Sequence, residues 1–323
     1  MMVKIRIEKN DSDQRLDRFL KKYYGKATLG HIYKMIRKDI KINGKRGDIG
    51  TMLREGDLLT VYLTEEESDA LRQVKKVYRV RKQFQVAYED DRVLIVDKPF
   101  GLLTHGDARE KKNTLANQVA GYLLGKGEYL PGREQTFMPA PVNRLDRNTT
   151  GLVVFGKDAA KVKELNRIFR ERDKVEKYYR TIVWGRLNGP LELRDRMEKD
   201  QEVNKVKIAA EGKDMVTQVT PLDVRDGYSF VEAKLLTGRT HQIRVHLQAA
   251  GYPLIGDGKY GDPRVNAKVR EKFDLTTQIL HGCRLIFREG SLAGKDISSS
   301  LPGRFEEIRE EIFGGNGEKG RKR

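Results

Sequence analysis

The chain has 323 residues, 38% of them hydrophobic and 34% charged, with a formal net charge of +17 at pH 7. That length favours about two domains with a real core, and so lopsided a charge makes a polyanion the first partner to consider, through phosphate neutralisation and counterion release. Cys283 is the only cysteine, which excludes an intramolecular disulfide and suits a reducing compartment. The start, Met1 to Arg6, has no apolar leader, and no window approaches the ~18 apolar residues of a membrane helix. The expectation is a soluble, cytoplasmic protein with no membrane contact.

From Arg15 to Arg46, eleven Lys and Arg residues face only Asp17 and Asp39. A first helix is predicted near Gln14–Tyr24, ending at Gly25. Thr28 is the expected N-cap of a second helix over Leu29–Lys38, with Ile32, Met35 and Ile36 inward. Ile40–Ile42 should be a strand, Asn43-Gly44 a tight turn, and Asp57–Leu63 a further strand. Two short basic helices on a small sheet make a compact nucleic-acid reader. Thr64–Val80 lacks an apolar period and is expected to be a linker. A second domain should start near Val86. In it Val93–Val96, Tyr179–Trp184 and Tyr228–Leu236 are strands, Ala159–Arg170 is a helix, and Phe305, Ile308 and Ile312 mark a last helix. Leu280–Phe287, around Cys283, is expected to be a strand that packs rather than a nucleophile site. Strands outnumber helices without alternating regularly, which predicts an α+β fold with a mixed, mainly antiparallel sheet flanked by helices, plus the small N-terminal α/β domain. The domain plan is residues 1–64, a linker at 65–85, a catalytic domain at 86–313 and a basic disordered tail at 314–323.

The stretch richest in chemistry is Asn143-Arg144-Leu145-Asp146-Arg147-Asn148-Thr149-Thr150-Gly151, which feeds into the apolar run Leu152–Phe155. A carboxylate between guanidiniums is expected to stay ionised, while the same arginines hold an anionic polymer across it. The tetrapeptide alone is weak evidence, because Arg15-Leu16-Asp17-Arg18 repeats it. There Leu16, Phe19 and Leu20 recur at helical spacing, so Asp17 reads as a solvated helix residue without chemistry. Pro139, Pro141 and the Asn-Thr-Thr-Gly that follows put the second copy on a loop.

Gly151–Lys157 matches seven positions of a P-loop, but Asp158 fills the Ser/Thr position and Leu-Val-Val-Phe fills the phosphate nest, so nucleotide binding is not expected. His241 and His246 are five apart and there is no cysteine pair, so no metal site is expected; these histidines should hydrogen-bond or pack. In Thr237–Leu247, Thr240 is the expected cap of a helix ending at Gly251. Arg239 and Arg244 then make its start a place to receive an anion, inferred to include Asp146. In Glu176–Gly185, Tyr179 either packs or stacks on an extruded base.

In order and spacing these stretches resemble the RluA-like family of RNA pseudouridine synthases, of the RluC/RluD type. Asn143–Gly151 is similar to its catalytic loop, Lys177–Gly185 to its tyrosine strand, and Thr237–Leu247 to its Thr-Gly-Arg-x-His-Gln-Ile-Arg-Val-His-Leu segment. Gly251–Asp257 and Tyr260-Gly261 follow as that family's next loop does. Arg15–Tyr62 resembles the small RNA-binding domain named after ribosomal protein S-four. The resemblance spans about Arg15 to Phe287, with Asn143 in place of the family's His and Thr150 in place of its Ser.

The resemblance implies isomerisation of uridine to pseudouridine within RNA, without metal or other cofactor. Asp146 would be the essential carboxylate, acting on the sugar or base or on a ribose proton. Tyr179 would lie against the flipped base and help remove the proton from carbon 5. Arg244 would pair with Asp146, and Arg144 would fill the gap left by the extruded nucleotide. Arg147, Arg239, Arg15, Arg18, Lys34, Arg37, Lys38 and Lys45 are the expected RNA contacts. The implied partner is large-subunit ribosomal RNA, with transfer RNA as runner-up, and the expected state is a monomer. Two other readings are a ribosome-associated RNA-binding factor without chemistry, and a glycosidic-bond hydrolase. The hydrolase would usually want a second carboxylate beside Asp146.

Overall fold

A computed structural model describes residues 2–73, 77–131, 136–200 and 205–314. The chain divides into two compact units. The first comprises residues 1–82 with 116–140 and 156–163, and the second comprises 83–115, 141–155 and 164–323.

In the first unit β1 (Val3–Arg6), β2 (Ile40–Ile42), β3 (Lys45–Arg46) and β4 (Leu58–Val61) form an antiparallel sheet in the order β1-β4-β2-β3. Helices α1 (Leu16–Tyr23) and α2 (Leu29–Lys38) bury Leu16, Phe19, Leu20, Ile32, Met35 and Ile36 against it. Thr28 caps α2 by accepting from the His31 N–H at 3.3 Å. Asn43 and Gly44, both at positive φ, make the turn between β2 and β3. Asp17 differs from expectation. It is buried rather than solvated, accepting from the Arg15 guanidinium and from the Arg18 N–H.

The segment expected as a linker opens with helix α3 (Glu65–Leu71). Thr64 and Glu67 form a reciprocal capping box, which replaces the missing apolar period as the source of helix stability. Ser68 bonds the buried Tyr24 hydroxyl at 3.0 Å, and the Arg72 guanidinium lies 4.7 Å above the Tyr23 ring, so α3 is part of the front fold. The same unit recruits chain from further along. Asp11, fully buried, accepts from the backbone N–H and hydroxyl of Thr136 at 2.8 and 2.6 Å, and Asn10 accepts from the Ala159 N–H at 3.0 Å. A boundary drawn from chain order alone misses these pieces. The expected tail beyond Gly314 lies outside the described residues.

The remaining elements are β5 (Gln85–Glu89), β6 (Val93–Lys98), α4 (Leu115–Gly125), β7 (Ala140–Pro141), β8 (Thr149–Gly156), α5 (Ala159–Arg170), β9 (Val175–Trp184), β10 (Leu191–Asp200), β11 (Lys205–Ile208), β12 (Lys213–Arg225), β13 (Tyr228–Leu235), α6 (Gln242–Ala249), α7 (Pro263–Phe273), β14 (Leu280–Phe287), β15 (Asp296–Ser298) and α8 (Gly303–Phe313). Their strands form one mixed sheet in the order β11-β10-β12-β13-β9-β14-β8-β6-β5, with β15 on β14 and β7 on β8. Only the β14–β8 ladder is parallel among the described pairings. The α+β expectation holds. One face of the sheet packs α5 through Leu165 and Ile168, and Ile243 and Leu247 of α6 meet Val183 and Ala233. Ile182 and Phe230 meet α7 and α8 through Val269, Phe273, Phe305 and Ile308.

The P-loop look-alike is β8, buried along its whole length, so its backbone has no phosphate nest to offer. At the parallel β8–β14 crossing Gly151 sits opposite Gly282 with φ 112°, and a Cβ there would lie 2.2 Å from the Gly282 carbonyl oxygen. That close approach carries the chain out of the Asp146 loop and into the core. Gly151→Ala is expected to destabilise the fold by roughly 2–5 kcal/mol from left-handed backbone cost plus overpacking. Urea unfolding measures it, and a loss under 1 kcal/mol would show that the ladder can move aside.

Candidate active site

The loop 143–148 between β7 and β8 is fastened at both ends. Asn143 donates to the Leu152 carbonyl at 3.0 Å and accepts from the Val154 N–H at 2.9 Å, so the residue standing where the resemblance expects His ties the loop to β8. Asn148 donates to the Thr277 hydroxyl at 2.9 Å. The buried Thr104 hydroxyl donates to the Leu145 carbonyl at 2.9 Å and accepts from its N–H at 3.3 Å. Asp146 is thereby presented from a clamped backbone with its side chain one-third exposed (33%).

Its partner is Arg244, the third residue of α6. The Arg244 Nη1 donates to Asp146 Oδ2 at 3.1 Å. Nε and Nη2 of the same guanidinium bind Asp257 at 2.6 and 2.8 Å, a bidentate pair in which both side chains are buried. Asp257 also accepts the Lys259 and Tyr260 N–H groups, at 2.9 and 3.1 Å, and the Tyr260 ring lies 5.1 Å beneath the guanidinium. Burial opposes the charge on both partners. Mutual pairing outweighs it, keeping Arg244 above and Asp257 below their ordinary pKa values.

The flanking arginines do not hold Asp146, contrary to expectation. Arg147 reaches instead to Asp107 at 3.6 Å, and Arg144 is exposed. In a loop, neighbouring side chains diverge from the peptide, so the contact to Asp146 comes from across the fold. Thr240 is likewise not a helix cap. His241 takes the N-cap position in a left-handed conformation, φ 55°, and the Gln242 side chain gathers the Arg239 N–H and the Thr237 hydroxyl. That backbone turn sends the His241 imidazole to the Tyr260 hydroxyl at 2.9 Å, with Nε2 3.6 Å from Asp146 Oδ2. Burial lowers its pKa, so the ring is neutral at pH 7. His246 bonds the Thr217 hydroxyl at 2.8 Å. Both histidines are hydrogen-bonding groups, as expected.

Tyr179, on β9, lies between Ala233 and Gly282 of the neighbouring strands, and a Cβ at Gly282 would approach its ring to 3.3 Å. Burial raises its pKa, and the negative charge of Asp146 raises it further, so the phenol is neutral. The structure thus brings Asp146 and Arg244 into contact, and sets Tyr179 on β9 where the charge of Asp146 reaches it. Arg239 is exposed, with Nε donating to the Asp214 carbonyl at 3.3 Å.

Sequence reasoning missed Asp257, His241, Tyr260 and Lys98 as parts of this site. Lys98 is fully buried, and its ammonium donates to the carbonyls of Pro99, Leu102 and Arg147 at 3.1, 2.7 and 3.0 Å. Burial pushes its pKa down to about 7, against the opposing pull of Asp146 and Asp97. The signal was strand alternation: Lys98 falls on the same face of β6 as the apolar Leu94 and Val96. Cys283 is buried with its thiol pushed up to about 11, which suits packing and not nucleophilic attack. Among the described residues no group of three or more His, Cys, Asp or Glu could share a metal ion, and no helix is long and apolar enough to cross a membrane.

A family model described as RNA pseudouridylate synthase matches residues 92–249. Ribosomal large subunit pseudouridine synthase C of Vibrio parahaemolyticus is 30% identical over 291 residues, covering 88% of this chain and 88% of its own. The Vibrio cholerae protein of the same name is 30% identical over 290 residues with the same coverage. Among solved structures, Human RNA Pseudouridylate Synthase Domain Containing 1 superposes with a TM-score of 0.55 at 21% identity, over 68% of this chain and 83% of that one, a likeness of fold. Asp146, Tyr179 and Arg244 all fall inside the matched span, and with 30% identity sustained over 88% of its length the chain belongs to the RNA pseudouridylate synthase family.

Proposed function

We propose that this pseudouridine synthase modifies large-subunit ribosomal RNA, and that Asp146 carries its chemistry. The observation that supports the second point most is the 3.1 Å contact between Arg244 and a carboxylate that is still one-third exposed. A buried cation that is itself held by Asp257 fixes the direction of Asp146, while the exposed part of the carboxylate stays open to an incoming nucleoside. The reaction breaks the bond from the ribose to nitrogen 1 of uracil and makes one to carbon 5, with the carbon-5 proton lost and a proton gained at nitrogen 1. Substrate and product are isomers, so no external oxidant, reductant or co-substrate is consumed.

In this reading the target nucleotide is extruded from the RNA at a cost of a few kcal/mol, offset by stacking and phosphate contacts. Tyr179 is the wall against which the uracil rests. Being a neutral phenol, it assists removal of the carbon-5 proton by hydrogen-bonded relay and not as a standing phenolate. Arg144, exposed on the same loop as Asp146, enters the gap in the RNA. The ribosomal substrate is supported by the names of the relatives, which also span nearly the whole chain. The front unit is assigned to RNA binding on the strength of Arg15, Arg18, Lys34, Arg37, Lys38 and Lys45, all exposed. A cytoplasmic, monomeric protein belongs to the same proposal.

Asp146→Ala is expected to abolish tritium release from RNA labelled at carbon 5 of uracil, with Asp17→Ala retaining most of the wild-type rate. Equal losses in both would refute the choice of carboxylate, and free uracil among the products would revive the hydrolase reading. Pseudouridines that disappear from transfer RNA instead of ribosomal RNA in a strain lacking the gene would move the substrate. Replacing Lys34, Arg37, Lys38 and Lys45 together by Gln should weaken RNA binding and flatten its log–log salt dependence by roughly 3. An unchanged slope would take the front unit out of the RNA contact.

A further inference from the structure

Phe100 is 55% exposed, the most exposed large hydrophobic side chain among the described residues. A lone apolar side chain on a surface needs no explanation. Its backbone does. Phe100 stands at the tip of the turn that follows β6, before Gly101 at φ 78°. The residues on either side of this tip, Pro99 and Leu102, both give their carbonyls to the buried Lys98 ammonium, whose third bond goes to the carbonyl of Arg147 in the Asp146 loop. Two residues further on, the Thr104 hydroxyl takes both the N–H and the carbonyl of Leu145. The buried Lys98 nitrogen and the buried Thr104 hydroxyl therefore lash this turn along residues 145–147, one anchor on either side of the reactive carboxylate. Burying an ammonium is costly even when it is well bonded. Here the outcome is an exposed aromatic side chain carried on a backbone turn that is tied to the Asp146 loop.

The surroundings are those of a nucleic-acid contact. Arg147, whose carbonyl is one of the anchors, points its guanidinium outward to Asp107 at 3.6 Å, with both side chains about half exposed. Such a pair is worth little and exchanges readily for a phosphate. Aromatic rings next to exposed guanidiniums bind unpaired nucleotides by stacking, whatever the base.

We propose that Phe100 is a stacking platform for the base of the nucleotide adjacent to the extruded uridine, with Arg147 taking a phosphate of the same strand. This rests on Asp146 being the reactive carboxylate, and it adds a constraint on the substrate. The neighbour of the target must be able to leave its own stack, which places the target uridine in a loop or single-stranded stretch and not inside a regular duplex. The turn is preformed, so the platform acts on recognition of RNA and not on the bond-breaking step.

The test is a binding cycle on the full-length protein, using a stem-loop RNA with one uridine in its loop and the same RNA with an abasic residue on one side or the other of that uridine. Phe100→Ala is expected to weaken binding of the intact stem-loop by roughly 5- to 100-fold, while Phe100→Trp binds like wild type. On the RNA abasic at the stacked position, wild type and Phe100→Ala should bind alike. Overturning results are a variant that binds the intact RNA as tightly as wild type, or an equal loss on intact and abasic RNA at both positions, which marks a structural effect. The side chain is exposed, so the substitution leaves thermal unfolding unchanged. Tritium release from the intact stem-loop, measured separately, distinguishes failure of the activity from failure of the platform: an inactive protein with an intact binding cycle counts against Asp146 chemistry alone.

Discussion

Arg244 is shared between two carboxylates of unlike character. Asp257 is sealed from solvent and takes the guanidinium in two parallel hydrogen bonds, whereas Asp146 receives only the remaining nitrogen and stays partly open. The asymmetry sets the two acids apart. A cation held by one buried acid is fixed in place before any substrate arrives, so it can orient the second acid without being drawn into solvent itself. Breaking a buried pair by removing one partner strands the other charge in a poorly polarisable interior, with a cost of about 3–5 kcal/mol. The surrounding fold is arranged to avoid that. Lys259 and Tyr260 donate backbone N–H groups to Asp257, the Tyr260 ring lies under the guanidinium, and the Tyr260 hydroxyl is in turn bonded by His241 and by the Val206 N–H.

The same logic holds the other side of the site. The loop carrying Asp146 has little regular structure of its own, so its shape comes from side-chain bonds to and from neighbouring segments: Lys98 to the Arg147 carbonyl, Thr104 to Leu145, and the loop's own Asn148 to Thr277 and Asn143 to Leu152 in the middle of β8. Gly151 then lets the chain cross β14 at a distance no side chain permits. The carboxylate is thus positioned by hydrogen-bonded neighbours and remains one-third exposed. A loop residue needs such a supporting shell to hold its geometry.

Much of this was legible in the amino-acid sequence where a local rule operates. The Thr28 cap and the apolar period fixed Leu29–Lys38, the period of Val162, Leu165 and Ile168 fixed Ala159–Arg170, and Asn43-Gly44 marked its turn. The order of the three motif stretches pointed to Asp146, Tyr179 and Arg244. What stayed hidden depends on partners remote in the chain. Asp257 became part of the site only once the loop after α6 returned to meet it. The flanking Arg144 and Arg147 looked like the natural partners of Asp146 because adjacency is visible in a sequence and side-chain direction is not. Asp17 looked solvated because helical spacing gives a face but not what covers it. The helix at Glu65–Leu71 escaped because its stability comes from a capping box, not an apolar stripe. Strands β10 to β12, toward one end of the sheet, interleave charged residues with the few that they bury (Met197, Val206, Met215), so pairing with their neighbours defines them more than any apolar run.

The central claim is that Asp257 acts through Arg244 to orient Asp146. Single-turnover tritium release by Asp257→Asn, with RNA affinity measured on the same protein, tests it most directly. The side chain is nearly isosteric, so the guanidinium keeps a neighbour but loses its charged, two-pronged hold. The account predicts a fall of about 100-fold in the chemical step with RNA affinity close to wild type. A wild-type rate from a folded Asp257→Asn protein would contradict it.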